Sequence, residues 1–266
     1  MLLDAVVIVL RETLEAGVLI ALLLTVRHGL HLSNRWLWSG LGLGLVGAFV
    51  LAKNLGVVTE WFEYTGQEVV NASMQFGIYA CLLLIGLLIN LPGVRWRRFL
   101  EPVLGVCVTL ALVREGAEVA VFFFGYMQDE GVFIMALTSG FIGMMIGLSV
   151  GVLIYHVVIG LRPLVIRTVQ MTLLALVAGG MALQATQSLI QADWLTVSGA
   201  LWNTGGWLSE QSVVGQVAYA IFGYEASPSA TEVVMYLSSV GLFILVAGLG
   251  ARRQRKTRSA SREVLE

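Results

Sequence analysis

Residues 7–24 read VIVLRETLEAGVLIALLL and residues 108–124 read VTLALVREGAEVAVFFF. Each is an apolar run interrupted near its middle by an Arg-Glu-x-x-Glu motif: Arg11, Glu12 and Glu15 in the first, Arg114, Glu115 and Glu118 in the second. A hydrocarbon layer ~30 Å thick is crossed by about 20 apolar residues of helix, and both runs are long enough. Working outward, five more runs of this kind follow. The predicted spans are roughly 2–26, 36–58, 69–91, 100–126, 132–158, 168–190 and 229–250. Composition agrees, because 58% of the 266 residues are hydrophobic and 12% are charged, against about 25% charged in a soluble domain. The expected fold is an all-α polytopic membrane protein of seven transmembrane helices. One transmembrane domain covers 1–250 and a basic tail covers 251–266.

The first run starts without a basic segment and extends to about Val26, too long for the apolar core of a cleaved signal peptide, so it is read as a permanent span. Basic residues then set the orientation. Arg27 and Arg35 fall in the first loop, Arg95, Arg97 and Arg98 in the third, Arg162 and Arg167 in the fifth, and Arg252, Arg253, Arg255, Lys256, Arg258 and Arg262 in the tail. The positive-inside rule makes these segments cytoplasmic and puts the N-terminus outside. The tail also suits anionic lipid headgroups. The opposite face is acidic, with Glu60, Glu63, Glu68, Asp129, Glu130, Asp193, Glu210 and Glu225, and a negative rim concentrates cations. Glu68, Asp129, Glu130, Glu210 and Glu225 are therefore candidates for outer cation recruitment. The aromatic-rich stretch 191–228 is expected to form short interfacial helices or re-entrant pieces.

The motifs are expensive where they stand. Three charges at a helix centre cost on the order of 8–10 kcal/mol on insertion scales, and the Leu, Ile and Val of the first span return roughly 5–9 kcal/mol. Such a helix is near break-even, so its polar stripe must face protein or water and be paired. Residues three and four apart share a helix face, which puts Arg11 with Glu15, Glu12 with Glu15, and their counterparts in the second copy, on one stripe each. Four carboxylates face two guanidiniums, leaving about two negative charges for protons or a cation. Carboxylate oxygens suit hard cations, and no His/Cys spacing points to a softer metal; Cys81 and Cys107 stand singly and read as packing residues. The residues alone thus give a cation or proton pathway between the first and fourth spans, with Glu12, Glu15, Glu115 and Glu118 as ligands and Arg11 and Arg114 orienting or gating them. Spans one to three (2–91) and four to six (100–190) run in opposite senses with the motif in the first helix of each. This is the plan of a 3+3 inverted repeat, completed by an outer loop 191–228 and a seventh helix 229–250.

At these residues the chain resembles the oxidase-dependent iron permease family, which includes the fungal high-affinity iron permeases and the bacterial EfeU-type ferrous-uptake permeases. The family pattern is Arg-Glu-Gly-Leu-Glu in the first and fourth of seven helices. Here Arg11-Glu12-Thr13-Leu14-Glu15 and Arg114-Glu115-Gly116-Ala117-Glu118 keep the Arg and both Glu of each copy, with Thr13 and Ala117 differing at spacers. The stretch 207–233, WLSEQSVVGQVAYAIFGYEASPSATEV, is similar to the bacterial branch at Leu208, Ser209, Gly215, Phe222, Gly223, Tyr224, Pro228 and Ser229. The resemblance implies an iron ion as transported substrate rather than a bound cofactor, the four glutamates as its ligands, and no enzymatic activity. It further implies a plasma-membrane location, bacterial inner membrane, beside a periplasmic iron-binding protein and a haem peroxidase or other ferroxidase, with no nucleic-acid partner. Asn71 stands where relatives carry a further Glu, and Asn203 where bacterial relatives are often acidic.

Other intramembrane polar residues, Gln184, Gln187, Asn90 and His156, read as interhelical hydrogen-bonding groups, and the glycines from Gly40 to Gly47 as sites of close helix approach. Other functions fit the same glutamates: a proton-coupled transporter in which they titrate, an intramembrane hydrolase using paired carboxylates, or a structural or sensory subunit.

Overall fold

The computed structural model describes residues 2–91, 96–127, 130–196 and 199–263. Its long helices are α1 (Leu2–Leu30), α2 (Arg35–Lys53), α5 (Gly66–Asn90), α6 (Arg97–Phe124), α7 (Glu130–Ile159), α8 (Pro163–Gln191) and α10 (Ala230–Glu263). Three short ones, α3 (Leu55–Thr59), α4 (Trp61–Tyr64) and α9 (Val213–Phe222), lie between them. Among the described residues there is no strand, only an isolated bridge between Ala200 and Ser229. Five helices, α2, α5, α7, α8 and α10 as far as Arg253, are long and apolar enough to cross a membrane. Their outward faces carry exposed Leu43, Val46 and Phe49 on α2, Phe141, Ile142 and Leu153 on α7, and Leu237, Ile244 and Leu245 on α10. Such apolar surface has no place in water, and this is a multi-pass membrane protein. The two long helices outside that group, α1 and α6, are the two that carry the charged motifs.

Element ends differ from the sequence reading for local reasons. The second span, expected over 36–58, stops at Lys53, where the side chain of Asn54 donates to the Val50 carbonyl at 2.7 Å. The chain then turns through α3 and α4, with Phe62, Glu63 and Tyr64 in the left-handed region. The loop 191–228 contains the expected short helix, α9, started by Ser212, whose hydroxyl accepts from Gly215 N–H at 3.0 Å, and ended by Gly223 at φ 63°. Ser229 and Glu232 form a capping box at the start of α10, the Ser229 N–H donating to Glu232 Oε2 at 2.7 Å. That helix runs past the predicted 250 and through the basic tail to Glu263.

The helices are not stacked in chain order. The two most extensive pairings join α1 to α7 and α2 to α6. Each is a seam of small residues repeating every four positions. On α2 the buried Gly40, Gly44 and Ala48 face Val108, Leu112 and Gly116 of α6. On α7 the buried Gly143, Gly147 and Gly151 face Val6, Leu10, Thr13 and Gly17 of α1. Contacts climb together along both helices of each seam, so both pairs are parallel. Lipid tails are as apolar as leucine, so helices associate in a bilayer through close backbone packing, which such seams permit. Residues 40 and 143, and residues 44 and 147, stand 103 apart, the same spacing that separates Arg11 from Arg114. The sequence reading found the first seam and not the second. Its GxxxGxxxG signal is plain at Gly143, Gly147 and Gly151.

Between the seams, α5 crosses α8 antiparallel and α10 lies on both. Leu14, Leu19, Leu22 and Leu23 of α1, Ile78, Leu82 and Ile85 of α5, and Leu100 and Leu104 of α6 form the dry core. Cys81 and Cys107 adjoin across α5 and α6, both free, as their packing role requires. At one end of the bundle the Ser33 hydroxyl donates to Glu101 at 3.0 Å and Arg167 donates to Asn90 at 2.6 Å. At the other end Phe62 meets Trp194 and Gln187 donates to Glu225.

A Cβ on Gly143 would collide with the Val6 carbonyl oxygen, whereas one on Gly42 would meet nothing within 4 Å. Gly143→Ala is expected to destabilise the protein by about 1–3 kcal/mol through overpacking, and Gly42→Ala to stabilise it by roughly 0.5–1 kcal/mol through helix propensity. Thermal unfolding in detergent reads both.

Candidate cation site between helices α1 and α6

The seams fix α1 and α6 against their neighbours and leave their polar stripes facing each other across the bundle. There the two motifs meet. Arg114 Nη1 donates to Glu15 Oε2 at 3.2 Å, joining residues 99 apart in the chain, and also to Glu115 Oε1 within its own motif. Its Nη2 lies 3.7 Å from Glu118 Oε1. Arg11 Nε donates to Glu15 Oε1 at 3.3 Å, the i,i+4 pair expected of one helix face. The carboxyls of Glu12 and Glu115 stand at hydrogen-bonding range of each other, and each leaves its Oε2 buried without a donor. All six motif residues are thus brought into one cluster.

The cluster is asymmetric in a way that the repeated motif does not announce. The Arg114 side chain is 8% exposed and touches three glutamates; the Arg11 side chain is 48% exposed and touches one. Glu12, Glu15 and Glu115 are buried, while the Glu118 side chain keeps 33% exposure. The reason is the company each arginine keeps. Arg114 looks inward to α8, where Gln184 Oε1 accepts from it at 3.1 Å, while Gln184 Nε2 donates to Glu15 Oε2 at 2.8 Å. Arg11 looks outward to α9, its guanidinium carbon 5.0 Å above the centre of the Tyr219 ring, a cation–π contact. Burial pushes the Tyr219 phenol well above its usual range, and the charge of Glu15 adds to the effect.

Several participants were not assigned to the site from sequence. Gln75 of α5 donates to Gln184 Oε1 at 3.1 Å and accepts from Ser188 at 3.3 Å. Asn71, noted only as a departure, donates to Glu118 at 3.4 Å. A glutamine in the middle of an apolar helix must find a partner; Gln184, expected as an interhelical hydrogen-bonding group, does so here, and the same rule applies to Gln75. Nothing in the sequence indicated Tyr219. Among the described residues no three His, Cys, Asp or Glu side chains converge on a point as metal ligands do. The guanidinium of Arg114 occupies the centre about which Glu15, Glu115 and Glu118 gather.

The five outer acidic candidates separate. Asp129 lies outside the described residues. Glu130 is exposed at the start of α7, and Glu68 in the first turn of α5 has a buried Oε2 with no partner. Glu210 accepts from the Ala226 N–H, which pins the loop before α10. Glu225 accepts from Gln187 at 2.9 Å and lines a cavity of about 350 Å³ with Trp202, Thr204, Tyr224 and Glu232. Through Gln187, whose Oε1 accepts from Tyr219 at 3.4 Å, Glu225 is linked to the aromatic ring beneath Arg11.

Removing Arg114 leaves buried carboxylates uncompensated, so Arg114→Ala is expected to lower stability by about 3–5 kcal/mol. Arg11→Ala, at a half-exposed pair, should cost under about 1 kcal/mol; chemical unfolding in detergent distinguishes the two. Glu225 is pushed up to about 7 by burial and by its neighbours Glu232 and Glu210. A carboxyl whose folded pKa is raised binds more protons when folded, so the stability it contributes is present at low pH and lost as pH rises through about 7. Trp202 fluorescence should titrate with that midpoint and lose the transition in Glu225→Gln. Comparison with protein-family models, with curated proteins and with solved structures returns no match.

Proposed function

We propose that this chain is a permease that carries iron inward across the plasma membrane, with Glu12, Glu15, Glu115 and Glu118 receiving the ion within the bilayer. The observation that carries the reading is the Arg114–Glu15 contact at 3.2 Å, which joins two copies of one charged motif into a single buried cluster. An ion pair placed twice in apolar helices for structure alone would balance its charges; here carboxylates outnumber guanidiniums two to one. The two buried Oε2 atoms without donors, on Glu12 and Glu115, are hard oxygen acceptors of the kind that oxidised iron and other hard cations prefer. The choice of iron among such cations rests on the resemblance of both motifs and of the segment 207–233.

In this reading seven helices span the bilayer, α1 and α6 included. The end carrying Arg27, Arg35, Arg98, Arg162, Arg167 and Arg252 is cytoplasmic, and the acidic end with α9 faces outward. The inverted-repeat plan is supported by the seams. The first helix of each repeat packs on the second helix of the other, α1 on α7 and α6 on α2, as a two-fold exchange of the halves requires. Arg114 holds the carboxylates in the absence of cargo. A cation binds by competing with the guanidinium for Glu15, Glu115 and Glu118, so Arg114 must withdraw for the ion to be coordinated and return as it leaves. A periplasmic iron-binding protein and a haem peroxidase or other ferroxidase are the partners that the resemblance implies for this role.

One observation favours a second reading, proton-coupled transport of another cation or substrate. Two carboxyls at hydrogen-bonding range, Glu12 and Glu115, are a ready pair for sharing a proton.

In cells lacking other iron uptake, Glu15→Ala and Glu118→Ala are expected to reduce iron accumulation to background while the protein still reaches the membrane. Normal uptake in either variant overturns the ligand assignment. Glu12→Gln and Glu115→Gln that retain iron binding but lose dependence on a proton gradient would favour the second reading.

A further inference from the structure

At the basic end of the bundle the ends of α1, α5 and α8 enclose a cavity of about 190 Å³ lined by Val26, Leu30, Ile89, Ile166, Arg167 and Gln170. Arg167 and Gln170 are three apart on α8 and so share a face. Gln170 is 8% exposed, and its Nε2, a side-chain donor, has no hydrogen-bond partner. Arg167 is held in place by Asn90, which accepts from Nη2 at 2.6 Å and is itself fixed by donating to the Gly86 carbonyl at 2.7 Å. That anchor uses one of the five N–H donors of a guanidinium.

We propose that this cavity binds the phosphate group of an anionic membrane lipid, with Arg167 and Gln170 as donors and the four aliphatic side chains against its glycerol and upper chain. A buried donor is seldom left unfilled in a folded protein, and an anion that fills Gln170 Nε2 also meets the exposed guanidinium of Arg167 beside it. The positive charge of Arg167 on the lining opposes a cation and favours an anion. The aliphatic walls select the source of the phosphate, because a free phosphate ion would leave them unused. The site opens at the end where Arg27, Arg35, Arg98, Arg162 and Arg252 gather, the surroundings in which basic pockets between transmembrane helices hold anionic headgroups. It is separate from the α1–α6 cluster and does not depend on what the protein transports.

The test uses the full chain, stripped of lipid in non-ionic detergent, with native mass spectrometry to count bound ligand. The probes are dioctanoyl phosphatidylglycerol, dioctanoyl phosphatidylcholine and inorganic phosphate. One phosphatidylglycerol per chain should bind saturably, with phosphatidylcholine and inorganic phosphate each at least about tenfold weaker. Arg167→Gln should weaken phosphatidylglycerol about tenfold, but it also breaks the Asn90 contact, so Gln170→Leu carries the decision. That variant keeps the volume and removes the unfilled donor, and it should melt no lower than wild type without lipid while binding phosphatidylglycerol several-fold less well. Equal binding of phosphatidylcholine, tight binding of inorganic phosphate alone, or unchanged affinity in Gln170→Leu would overturn the proposal.

Discussion

The guanidinium of Arg114 is the constraint around which the membrane interior of this protein is arranged. It touches Glu15 on α1, Glu115 and Glu118 on its own helix and Gln184 on α8, and through Gln184 it reaches Gln75 on α5. Four helices are therefore tied to one charged group that is itself nearly out of solvent. A buried charge of this kind is tolerated when it is paired, and both terminal nitrogens of Arg114 are, while its Nε is buried without a partner; Gln184 of α8 and Gln75 of α5 extend the pairing around Arg114 and Glu15. The same arrangement explains why α1 and α6 can each carry the three charges of a motif and still lie inside the bundle, with their apolar neighbours facing lipid and core.

The two glycine seams supply the geometry. α1 and α6 do not reach each other by packing broadly along their lengths; each is clamped to a partner helix, α7 or α2, by small residues spaced at four, and this leaves the motif stripe free to face across the bundle. Thr13 rests on Gly147 and Gly116 rests on Ala48, so the spacer residue inside each motif is itself part of a seam. The departure from strict two-fold likeness lies in the arginines. α9 places Tyr219 beneath Arg11, whereas Arg114 has the amide of Gln184. One arginine thereby belongs to the rim of the cluster and the other to its centre.

Much of this was legible in the sequence. The apolar runs locate the long helices to within about five residues at every end except that of α10, which continues to Glu263, and the i,i+4 rule yields the Arg11–Glu15 and Arg114–Glu118 pairs. The charge count gave the surplus of carboxylates before any contact was known. What stayed hidden depended on which helices touch. Spacing along one chain cannot say that α1 lies on α7, that Gln184 sits between Arg114 and Glu15, or that a ten-residue helix near the end of the chain lays an aromatic ring under Arg11. Asn71 reads in sequence as a lost acid and in three dimensions as a donor to Glu118. The early end of α2 was a local event, a side-chain amide capturing a carbonyl, that an apolar run through Val57 and Val58 masks.

If one cluster between α1 and α6 receives a permeating iron ion, the purified chain must move iron without help. The direct measurement is influx of radioactive iron into liposomes containing the protein alone, with Glu15→Ala reconstituted to the same density. The account predicts saturable influx with the wild-type chain and background influx with the variant. Equal influx in the two, or none with the wild type in either oxidation state of iron, would contradict it.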